Sequence, residues 1–103
     1  MTRTKEHTIS QTKVNKILLI TTKGCEGCGI ATKLIVEAIE SRPEIPVEFV
    51  SKDISEFNKK WLKQNKISDF PTTILMQNDI IKFSFVGTRP SVVIARWIEV
   101  YFN

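Results

Sequence analysis

Cys25 and Cys28 are the only cysteines of the chain and are separated by two residues in TTKGCEGCGIATKLI, residues 21–35. A pair at this spacing has three possible uses. It can cycle between dithiol and disulfide, supply half of a tetrahedral zinc site, or be two small core residues. Zinc needs four ligands, and the single histidine, His7, lies in a polar leading stretch. A metal site would therefore require a second chain, giving a metal-bridged dimer. Redox chemistry requires the pair at the start of a helix that follows a buried strand, and the flanking sequence is of that kind.

Before the cysteines, Lys16–Thr22 (KILLITT) is a continuous run of aliphatic and β-branched residues closed by Lys23-Gly24. Such a run predicts a strand covered on both faces of a sheet. After them, from Glu26 to Glu40, Ile30, Ala31, Leu34, Ile35, Ala38 and Ile39 recur at helical spacing, which predicts an amphipathic helix. Ser41-Arg42-Pro43 ends it, because the residue before a proline avoids the helical region. Cys25 then opens the helix. The free backbone N–H groups and positive dipole end of the first turn favour a thiolate there. Cys25 is expected to be the exposed nucleophile. Cys28, a turn further on, is expected to attack a mixed disulfide and resolve it. Lys23 is expected to tune the Cys25 thiolate, with Glu26 opposing it.

The remaining chain supplies the frame. Val47–Lys52 reads as a second strand. Asp53 reads as the cap of a second helix, with Glu56 as capping-box partner and Phe57, Trp61 and Leu62 on its packed side. Ser68-Asp69-Phe70-Pro71 is a turn and Thr72–Met76 a third strand. Gln77-Asn78-Asp79 makes a tight connection to a return strand, Ile80–Val86, which Gly87 closes. Thr88 and Pro90 open a last helix bearing Val93, Ile94, Trp97, Ile98 and Tyr101. The order β-α-β-α-β-β-α predicts an α/β fold, a central mixed sheet with helices on both faces.

Composition narrows the class. One hundred and three residues with 42% hydrophobic content make one globular domain, residues 14–103, preceded by a polar arm at 1–13 with a short strand near Thr8–Gln11. No apolar run reaches transmembrane length or resembles a secretory signal, so the expected location is the cytoplasm, with no membrane partner. The net charge of +4 includes Lys59, Lys60, Lys63 and Lys66, whose spacing fits the wet face of a helix. No basic stripe with stacking aromatics accompanies them, so no nucleic-acid partner is expected.

Strand, CxxC at a helix start, a second βα unit, Phe70-Pro71-Thr72 before a hairpin that ends in Gly87, and a final helix together resemble the thioredoxin superfamily over residues 14–102. Pro71 follows Cys25 by 46 residues and Gly87 follows Pro71 by sixteen. The resemblance implies a cis Phe70–Pro71 bond facing the cysteines. It also implies a substrate groove shaped by Gly24, Glu26, Gly27, Phe70, Pro71, Thr72 and Gly87, where Phe70 offers its backbone as an extra strand. The chain departs from the family pattern in several places. Gly24 replaces a tryptophan, Glu26-Gly27 replaces Gly-Pro, and the helix lacks its bending proline. Leu19 and Phe49 replace a buried Asp and its Lys partner, leaving no evident base for Cys28. Lys82-Phe83 stands where a glutaredoxin would carry Gly-Gly, which disfavours glutathione. The implied function is thiol–disulfide oxidoreductase. It needs no dissociable cofactor, acts as a monomer on protein disulfides, and is recharged by a separate reductase or oxidant. The other readings are a binding module with idle cysteines and the metal-bridged dimer.

Overall fold

The computed structural model describes residues 13–102. His7 and the strand expected near Thr8–Gln11 lie outside them. The elements are β1 (Asn15–Thr21), α1 (Glu26–Glu40), β2 (Glu48–Asp53), a 3₁₀ turn (Ile54–Glu56), α2 (Lys59–Gln64), β3 (Thr72–Gln77), β4 (Ile80–Val86) and α3 (Ser91–Tyr101). The four strands form one sheet in the order β2-β1-β3-β4. β1 pairs parallel with β2 and antiparallel with β3, and β3 pairs antiparallel with β4. This is the mixed sheet that the element order predicts, with β1 inside and β4 at an edge.

Two apolar layers hold it together, and the β1 run serves both. Ile17 and Leu19 point to one face, where they meet Ala31, Ile35 and Ala38 of α1, Ile94, Ala95 and Ile98 of α3, and Leu75 and Phe85. Leu18 and Ile20 point to the other face and join Leu62 of α2 and Ile74. Each fully buried Leu or Ile contributes roughly 1.5–3 kcal/mol, so the strand that leads into the cysteines is among the best anchored parts of the chain. The aromatic residues of the hairpin and α3 add to the first layer. Phe83 lies 4.6 Å from Trp97 and 5.0 Å from Tyr101 between ring centroids.

The hairpin turn falls at Asn78 and Asp79, with φ of 54° and 66°, the left-handed pair a two-residue turn needs. β3 and β4 slip register between Leu75 and Met76: Leu75 faces Phe83 while Met76 faces Ile81, leaving Lys82 as the extra residue.

Two expectations are corrected. The helix expected from Asp53 is two pieces. Asp53 and Glu56 do form a reciprocal capping box, but over a 3₁₀ turn, and Phe57 is extended at φ −112°, ψ 151°. Asn58 then starts α2 by accepting from the N–H groups of Lys60 and Trp61 at 2.8 and 3.1 Å. A second strong N-cap restarts the helix where one cap alone would have continued it. Ile30, expected in the packed stripe of α1, is 57% exposed. The buried stripe is Ala31, Ile35 and Ala38, and a neighbour of Ala31 lies about a quarter-turn off it.

Candidate redox site

The site forms where β1 runs out. Thr21 is the last β1 residue, and the Cys25 N–H donates to the Thr22 carbonyl at 3.2 Å, closing a turn. Gly24 in that turn has φ +73°, and a Cβ there would meet nothing within 4 Å. Its glycine is required by backbone conformation, since space is available. Cys25 is the N-cap of α1 and is extended at φ −77°, ψ 100°, and no side chain caps the helix. The Cys28 N–H donates to the Cys25 carbonyl at 3.3 Å. The two cysteines are joined as a disulfide with Cα atoms 5.5 Å apart. Both are partly exposed.

The turn after α2 supplies the facing wall. The Phe70–Pro71 peptide bond is cis. Gly27 sits against Pro71: a Cβ on Gly27 would stand 3.4 Å from Pro71 Cδ and 3.9 Å from Thr88 Cγ2. The Pro71 carbonyl accepts the Gly87 N–H at 2.8 Å, and Gly87 has φ +87°. Gly27, Pro71, Gly87 and Thr88 are thus brought together beside the disulfide. Other sequence-selected residues are otherwise engaged. The Phe70 side chain is half-buried against the cluster of Leu18, Ile20 and Ile74. Thr72 is buried and its hydroxyl donates to the Asp69 carbonyl. Glu26 and Lys23 are exposed.

Lys23 has an acidic neighbour. Asp53 is held below the usual carboxylate range, chiefly by hydrogen bonds from Ser55; desolvation opposes them, and the Lys23 charge adds the smallest lowering contribution. Beneath the site, Leu19 is fully buried and pairs with Ser51 on β2, while Phe49 lies opposite Ile17 and packs half-buried against the same layer. Thr73 on β3 lies between Leu19 and Phe85 in the register and is fully buried. Its hydroxyl has no hydrogen-bond partner, the one such buried side-chain atom among the described residues.

Sequence reasoning missed Thr73 and Thr88. Thr88 adjoins Gly87 and could have been found by proximity. Thr73 carries no signal, since a threonine in a strand is ordinary. Among the described residues no group of three or more His, Cys, Asp or Glu is placed to hold a metal, and no helix is long and apolar enough to cross a membrane.

A mixed four-stranded sheet with a CxxC at the start of its first helix and a proline turn packed against it defines the thioredoxin fold. No protein-family model and no curated protein sequence matches the chain, but solved structures do. Thioredoxin-2, described as a component of malaria parasite protein secretion machinery, superposes with a TM-score of 0.70 at 14% identity, covering 87% of this chain and 85% of that one. Oxidised thioredoxin O2 from Arabidopsis thaliana gives 0.66 at 20%, over 87% and 76%. Thioredoxin f2 from Chlamydomonas reinhardtii gives 0.67 at 22%, over 90% and 84%. The chain has the fold of the thioredoxin superfamily.

Proposed function

We propose that the protein is a thiol–disulfide oxidoreductase that exchanges protein disulfides through Cys25 and Cys28. The observation that carries the reading is the Cys25–Cys28 disulfide at the N-terminus of α1, directly beside the Gly27–Pro71 contact. In the reducing direction, the Cys25 thiolate attacks one sulfur of a substrate disulfide. An intermolecular S–S bond forms and the other substrate sulfur leaves as a thiolate. The Cys28 thiolate then attacks the Cys25 sulfur, which forms the Cys25–Cys28 bond and releases the second substrate thiolate. Two electrons pass from the pair to the substrate, protons from water neutralise the leaving thiolates, and no dissociable cofactor enters. A separate dithiol reductant or disulfide oxidant resets the pair.

The helix N-terminus favours the Cys25 thiolate. The backbone around Phe70 and Pro71 lines the groove in which an extended substrate segment lies. The reduction of a model protein disulfide tests the reading. Cys25→Ser is expected to abolish turnover, and Cys28→Ser to accumulate a mixed disulfide through Cys25 that is visible by mass. A Cys25→Ser variant with full turnover overturns it and leaves a binding module.

A further inference from the structure

Four lysines fall within eight residues of the chain. Lys59, Lys60, Lys63 and Lys66 are the only charged residues between Phe57 and Ser68. Of the 15 Lys and Arg in the chain, these four equal the whole excess over the 11 Asp and Glu. All four are exposed.

The fold brings this segment to the cysteines. It leaves the sheet at Asp53, which pairs with Thr21 at the end of β1. It returns at Pro71, which touches the site through Gly27. Between these points the only α-helix is α2, six residues long, or about 9 Å. The excursion therefore leaves and rejoins the sheet at its cysteine end, and packs Leu62 over the intervening face. Lys23, in the loop that precedes Cys25, lies close enough to Asp53 at the start of the same excursion to offset its charge. The acids on this stretch are Asp53 and Glu56, tied to each other's backbone in the capping box, and Asp69, and Glu26 is exposed between the two cysteines.

We infer that this lysine surface is a docking site for an acidic polypeptide, a disulfide substrate or redox partner whose reactive cysteines are flanked by Asp and Glu. The inference rests on the proposed oxidoreductase function. A cluster of four lysines on the segment that joins the site raises the encounter rate of an oppositely charged partner and discriminates against like-charged ones. A polypeptide fits better than a nucleic acid. Single-stranded nucleic acid binding uses aromatic faces as stacking platforms. Here Trp61 is already stacked on Phe57, with centroids 5.5 Å apart at 14°, and is half-buried in the core layer of Leu62.

The test compares two synthetic peptide disulfides with one core sequence, flanked by glutamates or by lysines, alongside neutral bis(2-hydroxyethyl) disulfide. The Glu-flanked peptide is expected to be reduced about tenfold faster than the Lys-flanked one at low salt, with the gap closing in high salt. The triple substitution Lys59→Gln, Lys60→Gln, Lys63→Gln should remove the gap while the neutral disulfide is reduced as before. Fluorescence anisotropy of the Glu-flanked peptide with the oxidised protein gives a readout independent of turnover. Salt-sensitive binding that the triple substitution abolishes supports the docking site even if the neutral disulfide is not reduced, in which case only the oxidoreductase reading falls. Equal rates for the two peptides, a preference that survives the substitutions, or tighter binding of an oligothymidylate than of the acidic peptide at physiological salt overturns the inference.

Discussion

Gly27 lies directly against Pro71, at a distance where an added Cβ would make ordinary van der Waals contact, 3.4 Å from the ring Cδ. A methyl group fits and anything longer must displace Pro71 or Thr88. Gly27 is in the first turn of α1, and glycine in the middle of a helix costs about 0.5–1 kcal/mol relative to alanine. Gly27→Ala is therefore expected to stabilise the fold by less than that amount and to preserve disulfide exchange. Gly27→Leu should lower the exchange rate, by pushing the proline turn off the helix. Urea unfolding and a turnover assay on both variants check this. A destabilised alanine variant would mean that the contact is tighter than described.

Thr73 buries a hydroxyl that nothing satisfies. An unpaired buried polar group costs about 1–3 kcal/mol, and valine has the same shape without the oxygen. Thr73→Val should raise stability by about 1 kcal/mol or more, measured by urea unfolding of the oxidised protein. A loss of similar size would show that the hydroxyl has a partner in solution.

Much of this fold was legible in the sequence because its strongest signals were local. The run at Ile17–Ile20, the helix over Glu26–Glu40 and the Asn78-Asp79 turn are each dictated by residues within the element, and the structure places them there. The division after Asp53 was not legible. Asp53 and Asn58 are both good caps, and choosing between one long helix and two short pieces depends on how Phe57 and Trp61 pack against the far layer. The cysteine pair could be named from its strand and helix context, and Pro71 from the thioredoxin-superfamily resemblance together with its distance along the chain. What Pro71 touches could not, because the Gly27 and Gly87 contacts are made by backbone and by a missing side chain, which leave no pattern in residue type. The orphan hydroxyl of Thr73 is visible only once the strands are in register.

Asp53 links pH to the end of β2. Its carboxyl is held below the usual range by Ser55 and Lys23. A depressed carboxylate contributes stability that is present above its unfolded-state pKa and lost as pH falls through the lower, folded value. The difference in stability between the protein and Asp53→Asn should thus be constant near neutrality and shrink below about pH 4. Lys23→Gln should move the Asp53 titration slightly upward, since Ser55 holds most of the lowering, as followed by NMR. An unmoved titration would show that the Lys23 charge does not reach Asp53 in solution, leaving that lysine free to act on Cys25.

The two thiols of the reduced protein should differ in reactivity. Cys25 is the N-cap, where the unshared N–H groups of the first turn favour a thiolate. Cys28 is inside the helix, at the head of the stripe that continues through Ala31 and Ile35 into the core. Leu19 is fully buried in the same layer, and an apolar setting disfavours ionisation. Iodoacetamide near pH 7 should therefore modify Cys25 about tenfold faster than Cys28, quantified by peptide mass spectrometry after partial labelling. Lys23→Gln should slow Cys25 alone, and only slightly, because its charge is shared with Asp53 and exposed charges are screened. Placing a carboxylate at Leu19 would not simply supply a missing base. It would bury a charge with no partner and cost several kcal/mol, so Leu19→Asp should unfold the protein before it speeds the resolving step. Equal labelling of the two cysteines would remove the assignment of nucleophile and resolver, and the groove beside Pro71 would then be read as a binding surface.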